Sequence, residues 1–245
     1  TMNKTLHLIK RELASYFGSP IEYVFLIFFF ILTGFFNFMM GGFFQSDEAS
    51  LARFFVWHPW LYMLLVPAIG MRMWAEERRM GTLELLFTLP LSAKQAIMGK
   101  FLAGWLFLGI ALLLTLPMPI TVCYLGDPDV GPMITGYVGS FLMSGAYLAI
   151  SGMTSACTRN QVISFITSVV ACLLLVLVGF PPVTNLLLKW GASSVLVDFA
   201  ASLSVMFHFE SMQRGVLDLR DVIYFVTLMA FALISTGIIL KQKRS

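Results

Sequence analysis

Few side chains in this sequence have the type and spacing to do chemistry, and most of those lie in two places: a charged run at 76–84 and a polar cluster at 208–221. His58 and His208 are the candidate bases or metal ligands. Catalysis by either would need convergent polar groups at one depth, and the long apolar runs offer no carboxylate. Met206, His208 and Met212 form a possible soft-metal set. A membrane-embedded enzyme or a metal-handling protein built on His58 or His208 is therefore the alternative reading. Cys123, Cys157 and Cys172 have no metal-ligand or disulfide-framework spacing and read as small packing residues. No phosphate-binding loop occurs: Gly99-Lys100-Phe101 lacks both the first glycine and the magnesium-holding hydroxyl. ATP is not expected to bind this chain by that route.

The elements that must position these groups are apolar. Of the 245 residues, 58% are hydrophobic, and six runs have about the 20 residues needed to cross a bilayer: 24–44, 54–74, 101–125, 133–157, 162–180 and 222–240. The expectation is an all-α membrane protein of six transmembrane helices, one transmembrane domain over 1–245. No cleavable leader is expected, because the first run is long enough to span. Apart from His58, and Arg72 near the inner end of the second run, the runs hold no Asp, Glu, Lys, Arg or His, whereas ion-coupled transporters normally carry one in their pathway. Energy is thus expected from outside the chain.

Basic residues set the orientation. With the N-terminus inside, only Arg53, Lys189, Arg214 and Arg220 of the 16 Lys+Arg fall outside. Both termini are expected in the cytoplasm. The net charge of +3 follows from topology, and no nucleic-acid partner is implied.

Residues 3–17 place Leu6, Ile9, Leu13, Tyr16 and Phe17 on one arc, with Leu8 as an exception. This predicts an amphipathic helix on the inner leaflet, broken by Gly18-Ser19-Pro20 before the first span. Pro67 should kink the second span, and Pro117 and Pro119 should end or bend the third. The fourth carries small residues, Gly136, Ser140, Ser144, Gly145, Ala149, Gly152 and Ala156, that mark a packing surface without saying whether its partner is the same chain or a second copy. Residues 181–220 are too broken to span and too apolar for a solvated loop, which predicts short re-entrant or interfacial outer helices.

Between the second and third runs, 75–92 should be cytoplasmic. Gly81 and Pro90 bracket room for two helical turns, and Ser92 with Gln95 supplies a capping box for the next helix. Leu83, Leu85, Leu86 and Phe87 beside Glu84 give the insert a surface suited to a groove on another protein. A self-neutralising cluster at a helix end accounts for Glu76, Glu77, Arg78 and Arg79, but not for the insert.

The run Glu76-Glu77-Arg78-Arg79-Met80-Gly81-Thr82-Leu83-Glu84 resembles the E-E-x-x-x-G-T-L-E signature of type-2 ABC exporter permeases, whose short inner helix couples to a nucleotide-binding subunit. His208-Phe209-Glu210, Arg214-Gly215-Val216 and Asp218-Leu219-Arg220-Asp221 are similar to the branch of gliding-motility and nitrous-oxide-reductase-maturation permeases. The resemblance implies an N-terminal elbow helix at 3–17, and a coupling segment acting through Glu76, Glu77, Gly81, Thr82, Leu83, Glu84, Leu85, Leu86 and Phe87. It also implies an outer segment marked by His208, Glu210, Arg214, Gly215, Asp218, Arg220 and Asp221. The implied assembly is a permease homodimer in the bacterial cytoplasmic (inner) membrane with two cytoplasmic ABC ATPase subunits, which bind ATP and Mg. This chain itself then holds no cofactor and no catalytic residue. Its output is export, or movement passed to an outer-face protein partner; a passive scaffold is the remaining reading.

Overall fold

The computed structural model describes residues 2–40, 50–83, 92–191 and 193–242, and every regular element among them is helical. Helix α1 (Met2–Gly18) ends where the glycine-serine-proline break was expected. Ser19 then caps α2 (Pro20–Phe35), its hydroxyl accepting from the Ile21 N–H, and α2 runs on into a π-helical turn over Phe36–Met40.

The second apolar run is not one helix. It is divided into α3 (Ala52–Val56), α4 (His58–Gly70) and α5 (Arg72–Met80). Pro59 in the first turn of α4 cannot donate back to α3. The second break, at Met71, has a long-range cause: the Ser155 hydroxyl inserts into the helical ladder. It donates to the Met71 carbonyl at 2.8 Å and accepts the N–H groups of Trp74 and Ala75 at 3.1 and 2.9 Å.

Helix α6 (Ala93–Leu113) opens with the expected box, Ser92 and Gln95 each bonding the other's backbone N–H. It is interrupted at 114–116, just before the first of the two prolines, and continues as α7 (Pro117–Leu125). Helix α8 (Val130–Cys157) is capped by Asp129, and α9 (Gln161–Leu177) by Asn160. Three short helices follow, α10 (Pro181–Lys189), α11 (Ser194–Ala201) and α12 (Val205–Gln213), before α13 (Leu219–Gln242).

Among the described residues, four helices are long and apolar enough to cross a membrane: Pro20–Met40, Ala93–Leu125, α8 and α13. The α9–α10 pair, bent by 68°, makes a fifth if it is one broken span. The expected second span lies outside this set because its helix is interrupted.

Helix α8 is the hub, packed against α13, α4, α9, α12, α6 and α5. Its small residues explain why. A Cβ at Gly136 would lie 2.5 Å from the Phe55 ring, and one at Gly145 would lie 2.7 Å from the Trp105 indole nitrogen. The small-residue surface left unassigned by the sequence is thus filled by helices of the same chain.

Helix α1 docks on α6, with a different face inward from the one its periodicity suggests. Leu8, the exception to the apolar arc, is the residue fully buried, and it sits over Gly99, where a Cβ would approach it to 2.5 Å. Tyr16 stacks on Phe107 at 5.3 Å, whereas Leu6 and Phe17 are exposed. The inward line is Leu8, Glu12 and Tyr16, spaced four residues apart, because α6 offers a glycine notch and a cation on that side.

Candidate functional site

The charged run on α5 is held by cations from other elements. Lys100, on α6, places Nζ 3.0 Å from Glu12 Oε2 on α1 and 2.8 Å from Glu77 Oε1 on α5. It also lies 5.8 Å from the Trp74 ring centroid. Arg72 makes the parallel link, with Nη1 2.9 Å from Glu22 on α2 and Nε 3.0 Å from Glu76 one turn along α5. Two cations therefore tie α5 to α1, α2 and α6, around a cleft of about 480 Å³.

Burial sets the importance of these pairs. Exposed ion pairs contribute little, but Lys100 and Glu22 are both buried, where an unpaired charge is strongly penalised. At Glu12 burial pushes the carboxyl pKa up, and the neighbouring Lys100 and Arg11 more than offset that, leaving it below its ordinary value. The carboxylate stays charged because the bridge is made.

The C-terminal half of α5 is fastened to α8 as well. Arg78 donates to the Ala156 carbonyl at 2.7 Å, beside the three bonds of Ser155. Gly81 ends the helix with φ of 70°, the left-handed conformation for which a residue without Cβ is suited. Thr82 donates to the Glu77 carbonyl at 3.4 Å, and Leu83 packs partly against the core. Of the expected coupling residues, then, Glu76 and Glu77 face inward as ion-pair partners, and Gly81, Thr82 and Leu83 form the exit from α5. Glu84, Leu85, Leu86 and Phe87 lie outside the described residues.

The cluster at 208–221 divides in two. His208 and Asp221 are brought together and buried: Nδ1 lies 2.6 Å from the Asp221 carboxylate, and Nε2 donates to the Ser202 carbonyl at 2.9 Å. Ser211 donates to the other Asp221 oxygen, and Tyr224 stacks on the imidazole at 4.0 Å while its hydroxyl reaches the Leu203 carbonyl. Glu210 and Arg214 instead form an exposed pair one turn apart on α12. Gly215 turns the chain with φ of 90° against Pro132, and Asp218 accepts the Arg220 N–H at 3.0 Å.

His208 thus has the carboxylate partner that the apolar runs did not offer, because Asp221 lies just before the run at 222–240. The arrangement is still not a catalytic relay. Ser211 donates to the aspartate, not to the imidazole, so no hydroxyl is poised for the histidine to activate. Nε2 is engaged by a backbone carbonyl, and the Met212 sulfur packs toward Gly139 on α8. His58 donates Nδ1–H to the Phe54 carbonyl at 2.9 Å and is enclosed by the rings of Phe54, Phe55 and Tyr62. Among the described residues no three His, Cys, Asp or Glu side chains are grouped to hold a metal ion. The cluster fastens α12 to α13, and Thr135 on α8 adds a bond of 2.6 Å to the Met212 carbonyl.

Reading along the chain missed Glu12, Glu22, Arg72, Lys100 and Ser155 as a unit. The available signal was weak: each is an ionisable or hydroxyl residue at the edge of an apolar helix, where a charge needs a partner.

The model of the ABC-2 family transporter proteins matches residues 40–209, more than half of the chain, and the chain belongs to that family. It is a multi-pass membrane protein and a membrane permease component of an ABC transporter. The match takes in α5, Lys100, the hub helix and the short helices α10 to α12 as far as Phe209. No curated protein matches the chain.

Proposed function

We propose that this chain is the permease subunit of an ATP-driven type-2 ABC transporter of the gliding-motility and nitrous-oxide-reductase-maturation branch. Its 75–92 segment receives movement from separate cytoplasmic ATPase subunits. The observation that supports this most is the Lys100 bridge. Helix α5 leads into the segment and α6 leads out of it, so the Glu77–Lys100 pair clamps the two ends together. A push on the segment is then delivered to a frame, through Glu12 to α1, through Arg72 to α2 and through Ser155 to α8.

The full assembly in this reading has two permease copies, two ATPase subunits holding ATP and Mg, six crossings per permease and both termini in the cytoplasm of a bacterium. The interrupted α3–α5 run and the bent α9–α10 pair supply the crossings beyond the four continuous ones. His208 and Asp221 carry movement of the spans into the outer helices, where the output is an apolar or amphiphilic cargo or a displacement of an outer-face partner.

The test uses the permease reconstituted with its ATPase partner. Gly81→Val places a β-branched residue at positive φ, and Glu84→Lys reverses a charge on the segment. Both should insert normally and reduce stimulated ATP hydrolysis to the rate of the ATPase alone. Full stimulation in both would refute coupling through this segment.

A further inference from the structure

The cytoplasmic ends of α6 and α13 diverge to leave a cleft of about 460 Å³, within the size range of small-molecule sites. Its walls are Ile97 and Met98 on α6 and Leu233, Ile234, Gly237 and Ile238 on α13. Gly237 keeps it open, since a Cβ there would already touch Ile97 at 3.5 Å. At the mouth stand Lys94 and Lys241, one from each helix, with no carboxylate in the lining among the described residues. Neither lysine has an acidic partner among the described residues. The N-terminal, positive end of the α6 dipole faces the same mouth.

We propose that this cleft binds an anionic glycerophospholipid of the cytoplasmic leaflet, with an acyl chain along the apolar wall and its phosphate between Lys94 and Lys241. The assignment of leaflet rests on the orientation proposed above. Charge complementarity selects this occupant over a neutral lipid, and depth agrees with it. From Lys241 to Leu233 is about 12 Å along a helix, close to the ~15 Å that one leaflet contributes to the hydrocarbon core. A lipid seated there would bridge the helix leaving the 75–92 segment to the last span, so membrane composition would bear on how far the two separate.

Lipid retention by the purified full-length chain in non-ionic detergent tests this without any ATPase, so its failure is distinct from failure of the coupling reading. Native mass spectrometry compares dioleoylphosphatidylglycerol with dioleoylphosphatidylcholine, which share chains and differ in charge. Phosphatidylglycerol should bind tighter by on the order of tenfold, as expected for two lysines near one anionic headgroup. The Lys94→Gln/Lys241→Gln double variant should lose that preference, and both sites are exposed, so the thermal midpoint should hold. Gly237→Leu should weaken both lipids by filling the cleft. Equal binding of the two lipids, an unchanged preference in the double variant, or a Gly237→Leu variant that loses a dimer and keeps its lipid would each overturn the proposal. The last would assign the cleft to a second copy.

Discussion

Lys100 shows how one cation can hold a fold and its mechanism at once. It satisfies two carboxylates on two helices, and its removal leaves Glu12 and Glu77 facing each other across a partly buried gap. Breaking a buried ion pair from one side costs about 3–5 kcal/mol, whereas replacing all members by neutral groups is often tolerated. Lys100→Met should therefore lower the thermal midpoint markedly. The triple variant Lys100→Met/Glu12→Gln/Glu77→Gln should recover much of that loss while still failing to transmit ATPase stimulation. Thermal unfolding of the detergent-purified proteins, beside ATPase assays of the reconstituted complexes, separates the two roles. A triple variant less stable than the single one would show that Lys100 acts through packing rather than charge.

At the scale of elements, α1 is attached to the bundle by a pH-sensitive contact. The Glu12 pKa is lower folded than unfolded, so its charged form contributes to docking. That contribution is complete above the ordinary value of 4.5 and is lost as pH falls below it toward the lowered value. Hydrogen exchange over residues 5–17, corrected for the intrinsic pH dependence, should show loosening of α1 on acidification through that window. Glu12→Gln should already be loosened at neutral pH and should respond less to acid. An identical acid response in the variant would assign the effect to other groups. The His208–Asp221 latch plays the corresponding part for α12 and α13, burying polar groups that are satisfied only while those helices stay together.

For the whole molecule, the hub helix α8 fixes an orientation that can be measured. Asp127 precedes it and Arg159 follows it, and both are exposed. In a background lacking Cys123, Cys157 and Cys172, a cysteine at 127 should react with an impermeant thiol reagent added to intact cells. A cysteine at 159 should react only after permeabilisation. The reverse pattern would invert the proposed topology, and with it the leaflet assigned to the lipid cleft.

Much of this architecture was legible in the residues alone. Long apolar runs nearly free of charge favour helices, which satisfy their own backbone groups in a membrane. Local chemistry also decided the Gly18–Pro20 break, the Ser92–Gln95 box and the interruption before Pro117, because each depends on neighbours within four residues. What lay beyond the sequence depends on partners far along the chain. Ser155 engages the helix break at Met71 from 84 residues away, a contact that nothing within the second run announces, whereas the earlier break lies beside Pro59. Lys100 finds Glu12 across 88 positions, and the face of α1 that turns inward is set by the notch at Gly99. Whether the small residues of α8 served this chain or a second copy was likewise decided only by which rings came to fill them. Periodicity counts apolar side chains on an arc, but tertiary packing also counts where a cation waits and where a Cβ is missing.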